Sequence, residues 1–190
     1  MGGNMRRRAT ALLIATLTAG ALTVGVVGEA GAQGAKKAPL CKGKAKKAIA
    51  AIEDAYFHFL DGASSPTFDD KAPFIQYMSP PEESPSLIAL YQESSAANEA
   101  AAATTSVQVN EVTCTGKKSA DVLFDLVLGG EPAPGLAPPG SAILEKGSKQ
   151  WKVTALAFCD LTALGNASVI ESGPCSEILL DGEPSDLEDA

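Results

Sequence analysis

The sequence predicts an α+β domain in which three helices pack on one face of a four-stranded antiparallel meander. Three observations carry that expectation. Apolar residues recur at helical spacing between residues 44 and 103, the spacing changes to alternation from Thr105 onward, and clusters of Gly, Pro and Lys divide the alternating half into four runs. There is no internal repeat.

Residues 1–32 read as a secretory signal peptide. Arg6, Arg7 and Arg8 form its positive end, the stretch from Ala9 to Val27 is apolar apart from Thr and Gly, and Ala30-Gly31-Ala32 supplies a small-residue cleavage site. An uncleaved anchor fits less well, because the run is rich in Ala, Gly and Thr and ends in that site. Export to a secreted, extracellular or wall-associated location is therefore expected, with no stable membrane insertion after cleavage. The 190-residue chain carries a net charge of −8; without the three arginines and one glutamate of the leader, 12 basic and 22 acidic residues remain, a net −10. So acidic a chain is a poor partner for nucleic acid, whose phosphates demand a basic footprint. A Lys-rich arm at 33–42 is the exception. With Lys44, Lys46 and Lys47 it gathers Lys36, Lys37 and Lys42 without an intervening acid, a pattern suited to a solvated arm or to an anionic cell-envelope component.

The domain itself is expected over 43–164. A first helix should run from Lys44 to Leu60, with Ala45, Ile49, Ile52, Tyr56, Phe59 and Leu60 on one stripe and Asp61-Gly62 as its stop. Ser65-Pro66-Thr67 starts a short second helix that turns Phe74, Ile75, Tyr77 and Met78 inward, with Pro73 limiting its length. A third helix is expected from Ser86 to Ala103, its stripe formed by Leu87, Leu90, Tyr91 and Ser94. Strand one follows from Thr105 to Cys114. The alternation of Val107 with Val109 is out of phase with that of Val112 and Cys114, which predicts a bulge near Asn110 and Glu111. Strand two alternates through Ala120, Val122, Phe124, Leu126 and Leu128, with Asp121 and Asp125 on its other face. A Gly/Pro loop covers 129–140, strand three Ser141 to Glu145, and strand four Gln150 to Cys159. Residues 165–190 read as an acidic tail tethered by a disulfide.

The run Gln150-Trp151-Lys152-Val153-Thr154-Ala155-Leu156-Ala157-Phe158-Cys159-Asp160-Leu161 resembles the closing strand of the mycobacterial low-molecular-weight secreted antigen family. The order of leader, helix ending in Phe-Leu-Asp-Gly, Ala-rich helix and paired strands around a Pro/Gly loop is similar too. The resemblance spans Ala48 to Leu164 and implies an actinobacterial secreted protein whose curved sheet wraps the first helix in a cone like that of nuclear transport factor 2. It brings no established chemistry with it.

Four cysteines, Cys41, Cys114, Cys159 and Cys175, permit three pairings in an exported chain. In an up-and-down meander the last residues of strands one and four lie at opposite ends of the sheet, beyond the roughly 7 Å limit for a disulfide. Cys114 is therefore expected to pair with Cys41 and Cys159 with Cys175. A four-thiol metal site lacks close ligand spacing and neighbouring His, so neither metal nor cofactor is expected. The one histidine, His58, is placed toward solvent. The sequence contains no nucleophile elbow, phosphate loop, HExxH helix or EF-hand loop. The expected function is a non-catalytic domain that binds an apolar small molecule, lipid or protein partner in its cone. The alternative is a small-molecule isomerase or dehydratase, with Tyr56 or Tyr77 and Asp121 or Asp125 as acid–base groups.

Overall fold

The computed structural model describes residues 41, 45–80 and 82–183. The expected leader, the arm with Lys36, Lys37, Lys42 and Lys44, and the end of the acidic tail lie outside the described residues. Helix α1 (Ala45–Leu60) buries Ala48, Ile52, Ala55, Tyr56 and Phe59 along one stripe. Ala45, Ile49 and Leu60, expected on that stripe, are half-buried at its margin. Gly62 follows where the backbone of Ala102 and Ala103 comes so close that a side chain there would collide with it.

The second helix is shorter than its apolar residues imply. Thr67 caps α2 (Phe68–Lys71): its Oγ1 accepts from Asp70 N at 3.3 Å while Asp70 Oδ2 accepts from Thr67 N at 3.1 Å. Pro73 then confines Ala72–Phe74 to one 3-10 turn. Ile75 and Met78 are not helical at all. Ile75 bridges Val153 in parallel, Tyr77 adopts φ +63°, and Met78–Ser79 (β1) pairs with Glu82–Glu83 (β2). The third helix is likewise split. It runs as α3 (Pro85–Ala97) behind the Ser84 cap, breaks at Asn98 and resumes as α4 (Glu99–Ala102).

Strands β3 (Thr105–Cys114) and β4 (Ser119–Leu128) form the long hairpin that the alternation predicts, with the register shift falling between Val109 and Glu111. β4 turns Ala120, Val122, Phe124 and Leu126 into the core and leaves Asp121 and Leu123 outside. Its other edge is shared by two short strands, β5 (Glu131–Ala133) against its end and β6 (Gly140–Leu144) against its start. The Pro/Gly segment between them leaves the sheet. β5, unforeseen in the sequence, pairs only with β4, so Pro132 occupies an edge where no donor is required. β7 (Trp151–Val153) completes the order β3-β4-β6-β7, antiparallel throughout.

Strand four was expected to continue to Cys159. Instead Thr154 ends it, because its Oγ1 accepts from Ala157 N at 3.1 Å and caps helix α5 (Ala155–Gly165). The residues after Val153 are mostly good helix formers, and Ala155, Ala157, Phe158 and Cys159 are buried at helical rather than alternating positions. The expected tail is also partly built into the fold. A 3-10 turn (Ala167–Ile170) leads to α6 (Pro174–Asp181), which buries Cys175 and Ile178. Disulfides join Cys41 to Cys114 and Cys159 to Cys175, each with a Cα separation of 5.4 Å. The pairing matches the sequence reading although one premise does not, since Cys159 sits in a helix and not at a strand end. Among the described residues no helix is long and apolar enough to cross a membrane.

Tyr56 occupies the middle of the core. Its side chain is inaccessible to solvent, its ring lies 5.1 Å from that of Phe124, and its hydroxyl donates to Ser141 O at 3.0 Å. Gly140 passes directly beneath: a Cβ there would run into the Tyr56 hydroxyl and come within 2.9 Å of Phe124 Cε1. Gly140→Ala is expected to lower stability in urea unfolding by ~1–3 kcal/mol through overpacking, and Tyr56→Phe by about 1 kcal/mol or more because Ser141 O then keeps one partner fewer. A Gly140→Ala chain as stable as the native one would show that the approach is not tight. Removing the Cys41–Cys114 bond, which spans 73 residues, should cost about 4 kcal/mol, and removing the 16-residue Cys159–Cys175 bond about 3 kcal/mol. Paired Cys→Ser variants compared by denaturant midpoint check that order.

Candidate ligand cleft

The acid–base groups anticipated from the sequence do not meet. Tyr56 points into the core, where burial pushes its hydroxyl far above the usual tyrosine range and the charge of Asp121 adds to the shift; the hydroxyl donates to Ser141 O. Asp121 is exposed, and Asp125 accepts from Asn110 Nδ2 at 2.9 Å on the outward face of the sheet. Tyr77 donates to Glu183 Oε1 at 3.1 Å; burial, then that carboxylate, pushes its hydroxyl up to about 12. The interior expected to receive an apolar ligand is occupied by Ile52, Tyr56, Val122, Phe124 and Leu126, each no more than 8% exposed.

His58 is not the free, solvent-facing group that its helix position implied. Its ring stacks on Phe74 at 4.3 Å, Nδ1 lies 3.1 Å from Ser65 Oγ, and Nε2 is 3.7 Å from Asp54 Oδ1. The row Ser65, His58, Asp54 has the membership of a hydrolase triad but not its access. Ser65 is fully buried, so no carbonyl carbon can reach its oxygen, and the Asp–His distance exceeds a hydrogen bond. The row ties the end of α1 to the loop that follows.

A different site forms where three turns meet. The β6–β7 hairpin closes through Glu145 N to Gln150 O at 2.9 Å and Lys149 N to Glu145 O at 3.1 Å. Lys118, in the turn between β3 and β4, accepts at its carbonyl from Leu144 N at 2.8 Å, which fixes that turn against the hairpin. Beneath them lies a buried ion pair. Lys152 Nζ is 2.8 Å from Glu145 Oε1, both side chains are at most 3% exposed, and Nζ also donates to Ser79 Oγ at 3.0 Å. Ser148 Oγ donates to Glu145 Oε2 at 2.6 Å.

Between this hairpin and α1 opens a cleft of about 600 Å³. Ala48, Ala51, Phe74, Leu144 and Trp151 give it an apolar floor, and Lys47, Lys118, Lys146 and Lys149 stand around it. Asp54 is the one lining acid without a lysine partner, since Glu145 is paired with Lys152, so the cleft carries a local excess of three positive charges. Six lysines are exposed among the described residues (Lys46, Lys47, Lys117, Lys118, Lys146 and Lys149), and four of them line this cleft. An apolar floor with a few charged groups at the edge, in a volume of this size, is the usual form of a small-molecule site. Sequence reasoning placed Lys47 in the arm and passed over the others, which lie 71, 28 and 3 residues apart along the chain. One signal was present in the sequence. In an up-and-down meander the turns at 115–118 and 146–149 fall at the same end of the sheet, and both are rich in lysine.

A second groove, of about 500 Å³, lies between the Pro/Gly loop and α5 and holds Asp160 among Leu136, Pro138, Pro139 and Leu164. Burial raises the Asp160 carboxyl above its usual range. Among the described residues no group of three or more His, Cys, Asp or Glu is placed to hold a metal ion.

Comparison of the chain with protein-family models, with characterised proteins and with solved structures returned no match.

Two outcomes follow from these charges. Lys152→Met leaves Glu145 buried and unpaired and is expected to cost ~3–5 kcal/mol, most of which the double change with Glu145→Gln restores. A double variant no better than the single one would deny the pairing its role. Asp160 binds its proton more tightly folded than unfolded, so it penalises the native state at neutral pH, and the penalty fades as pH falls through its raised folded value. Asp160→Asn should therefore raise the thermal midpoint at pH 7 and lose that advantage near pH 3, as parallel melts across pH would reveal.

Proposed function

We propose that this chain is an exported, non-catalytic binding domain whose ligand sits in the lysine-rimmed cleft and not inside the cone of sheet and helix. One observation carries the reading: a chain with net charge −8 collects four of the six exposed lysines of its described residues around a single apolar-floored cleft. Like charges brought together repel, and a folded domain gains nothing from crowding them unless an anion completes the site. The ligand on this reading has negative charge at its edge and a flat or apolar body for the floor.

Export is supported by the leader pattern of residues 1–32 and by two disulfides, which persist in oxidising compartments. Kinship with the low-molecular-weight secreted antigens, and with the cone of nuclear transport factor 2, is part of the same proposal. Its support is the order of leader, α1 ending in Phe59-Leu60-Asp61-Gly62, Ala-rich helix and paired strands around the Pro/Gly loop.

Trp151 is the only tryptophan of the chain and lies on the cleft floor, so its emission reports occupancy directly. Titration with 1-anilinonaphthalene-8-sulfonate, an aryl ring bearing one sulfonate, is expected to quench Trp151 saturably. Lys146→Glu with Lys149→Glu should weaken that binding at least tenfold, about 1.4 kcal/mol, without lowering the thermal midpoint. Equal affinity in the charge-reversed chain would remove the cleft from consideration.

A further inference from the structure

We infer that the ligand class of the cleft is a compact, ring-sized molecule bearing two phosphate groups; this rests on the reading of the cleft as the binding site. Three features of the cleft point to that class, and the first is charge. A phosphate monoester carries about −1.5 to −2 at pH 7, so one group leaves the local excess of three positive charges half met and two balance it.

The second is the kind of cation. Every basic side chain at the cleft is lysine, and the chain has no arginine after Arg8. Arginine's planar fork serves carboxylate and phosphate alike, whereas lysine is a point charge with three rotatable donors that can meet phosphate oxygens from any direction. Four such points, set on α1, on the β3–β4 turn and on the β6–β7 hairpin, match separated anionic groups better than one. The volume of about 600 Å³ admits a sugar-sized or nucleoside-sized body between them.

The third is backbone conformation. Lys149 adopts φ +58°, one of only two non-glycine residues among those described with positive φ. That position of a hairpin loop ordinarily belongs to glycine or asparagine, and a lysine there is held at a conformational cost. The cost is met locally by Lys149 N to Glu145 O and by the Glu145–Lys152 pair beneath the turn. A surface lysine with no role would gain by replacement with glycine. A lysine whose ammonium must sit at the cleft edge would not.

The test uses the chain with its disulfides intact and three probes at one ionic strength: fructose 1,6-bisphosphate, fructose 6-phosphate and citrate, each followed by Trp151 emission and by calorimetry. The bisphosphate is expected to bind at least tenfold more tightly than the monophosphate and than citrate. In Lys149→Gly, which relieves the positive φ and should melt no lower than the native chain, that preference is expected to shrink below threefold; Lys118→Gln should behave alike. Equal binding of mono- and bisphosphate, with the aryl sulfonate still held at Trp151, overturns the two-phosphate inference and leaves the cleft in place. Citrate binding as tightly as the bisphosphate overturns the choice of phosphate. Silence of Trp151 toward every anion, aryl sulfonate included, overturns both readings together.

Discussion

A tyrosine hydroxyl cannot be buried without an acceptor, and where Tyr56 finds one decides how the parts of this domain are joined. The acceptor is the carbonyl of Ser141, on a strand 85 residues away. That same carbonyl accepts from Thr154 N at 3.1 Å, and the Ser141 and Thr154 hydroxyls lie 2.6 Å apart. Thr154 in turn caps α5. A single polar knot thus ties α1 to the sheet and the sheet to the C-terminal helices, with the Tyr56 side chain fully buried and Ser141 and Thr154 half-buried around it. The absent side chain of Gly140 makes room for it.

A second buried polar contact does for the cleft what the first does for the core. Glu145 and Lys152 are too deeply buried to be solvated separately, and each is tolerable only because the other is present. With Ser79 and Ser148 they clamp the base of the β6–β7 hairpin to the β1–β2 hairpin and to its own turn. The exposed lysines above are therefore carried on a fixed platform. Binding pre-organised charges costs less than ordering them afterward, so on the proposed reading this rigidity would add to the affinity for an anion.

Much of the architecture was legible in the residues. The bulge at Asn110 appeared as a phase slip between two valine pairs, and the inward set of β4 as unbroken alternation. Where the reading failed, a local cap overrode periodicity. Ala155 and Ala157 fit an alternating strand as well as a helix, and the Thr154 side chain, accepting from Ala157 N, caps the helix that forms. Pro73 and the positive φ of Tyr77 cut short a helix of whose four apolar residues Ile75, Tyr77 and Met78 are buried as expected, while Phe74 is half-buried on the cleft floor. The cleft was harder to see. Its lysines belong to three elements far apart in the chain, and a count of net charge averages them against acids that lie elsewhere. His58 shows the same limit in small, since helical phase placed it outward while Phe74 and Ser65, from the loop beyond, closed over it.

The Cys41–Cys114 bond also decides how the domain carries tension. A pull on the chain ahead of Cys41 enters β3 directly through sulfur, because residues between 41 and 114 form a covalently closed loop that cannot lengthen under load. Helix α1, the short helices and the first hairpin all lie inside that loop and are shielded from the force. A pull on the chain beyond Cys175 is handled in the same way by the smaller loop, which spares the turn between α5 and α6. What remains to bear the strain is the run from Cys114 to Cys159, in which β4 pairs with β3 and β6 along most of its length. Strand β4, with its hydrogen bonds to β3 and β6, is the longest strand on the covalent path between the two closed loops.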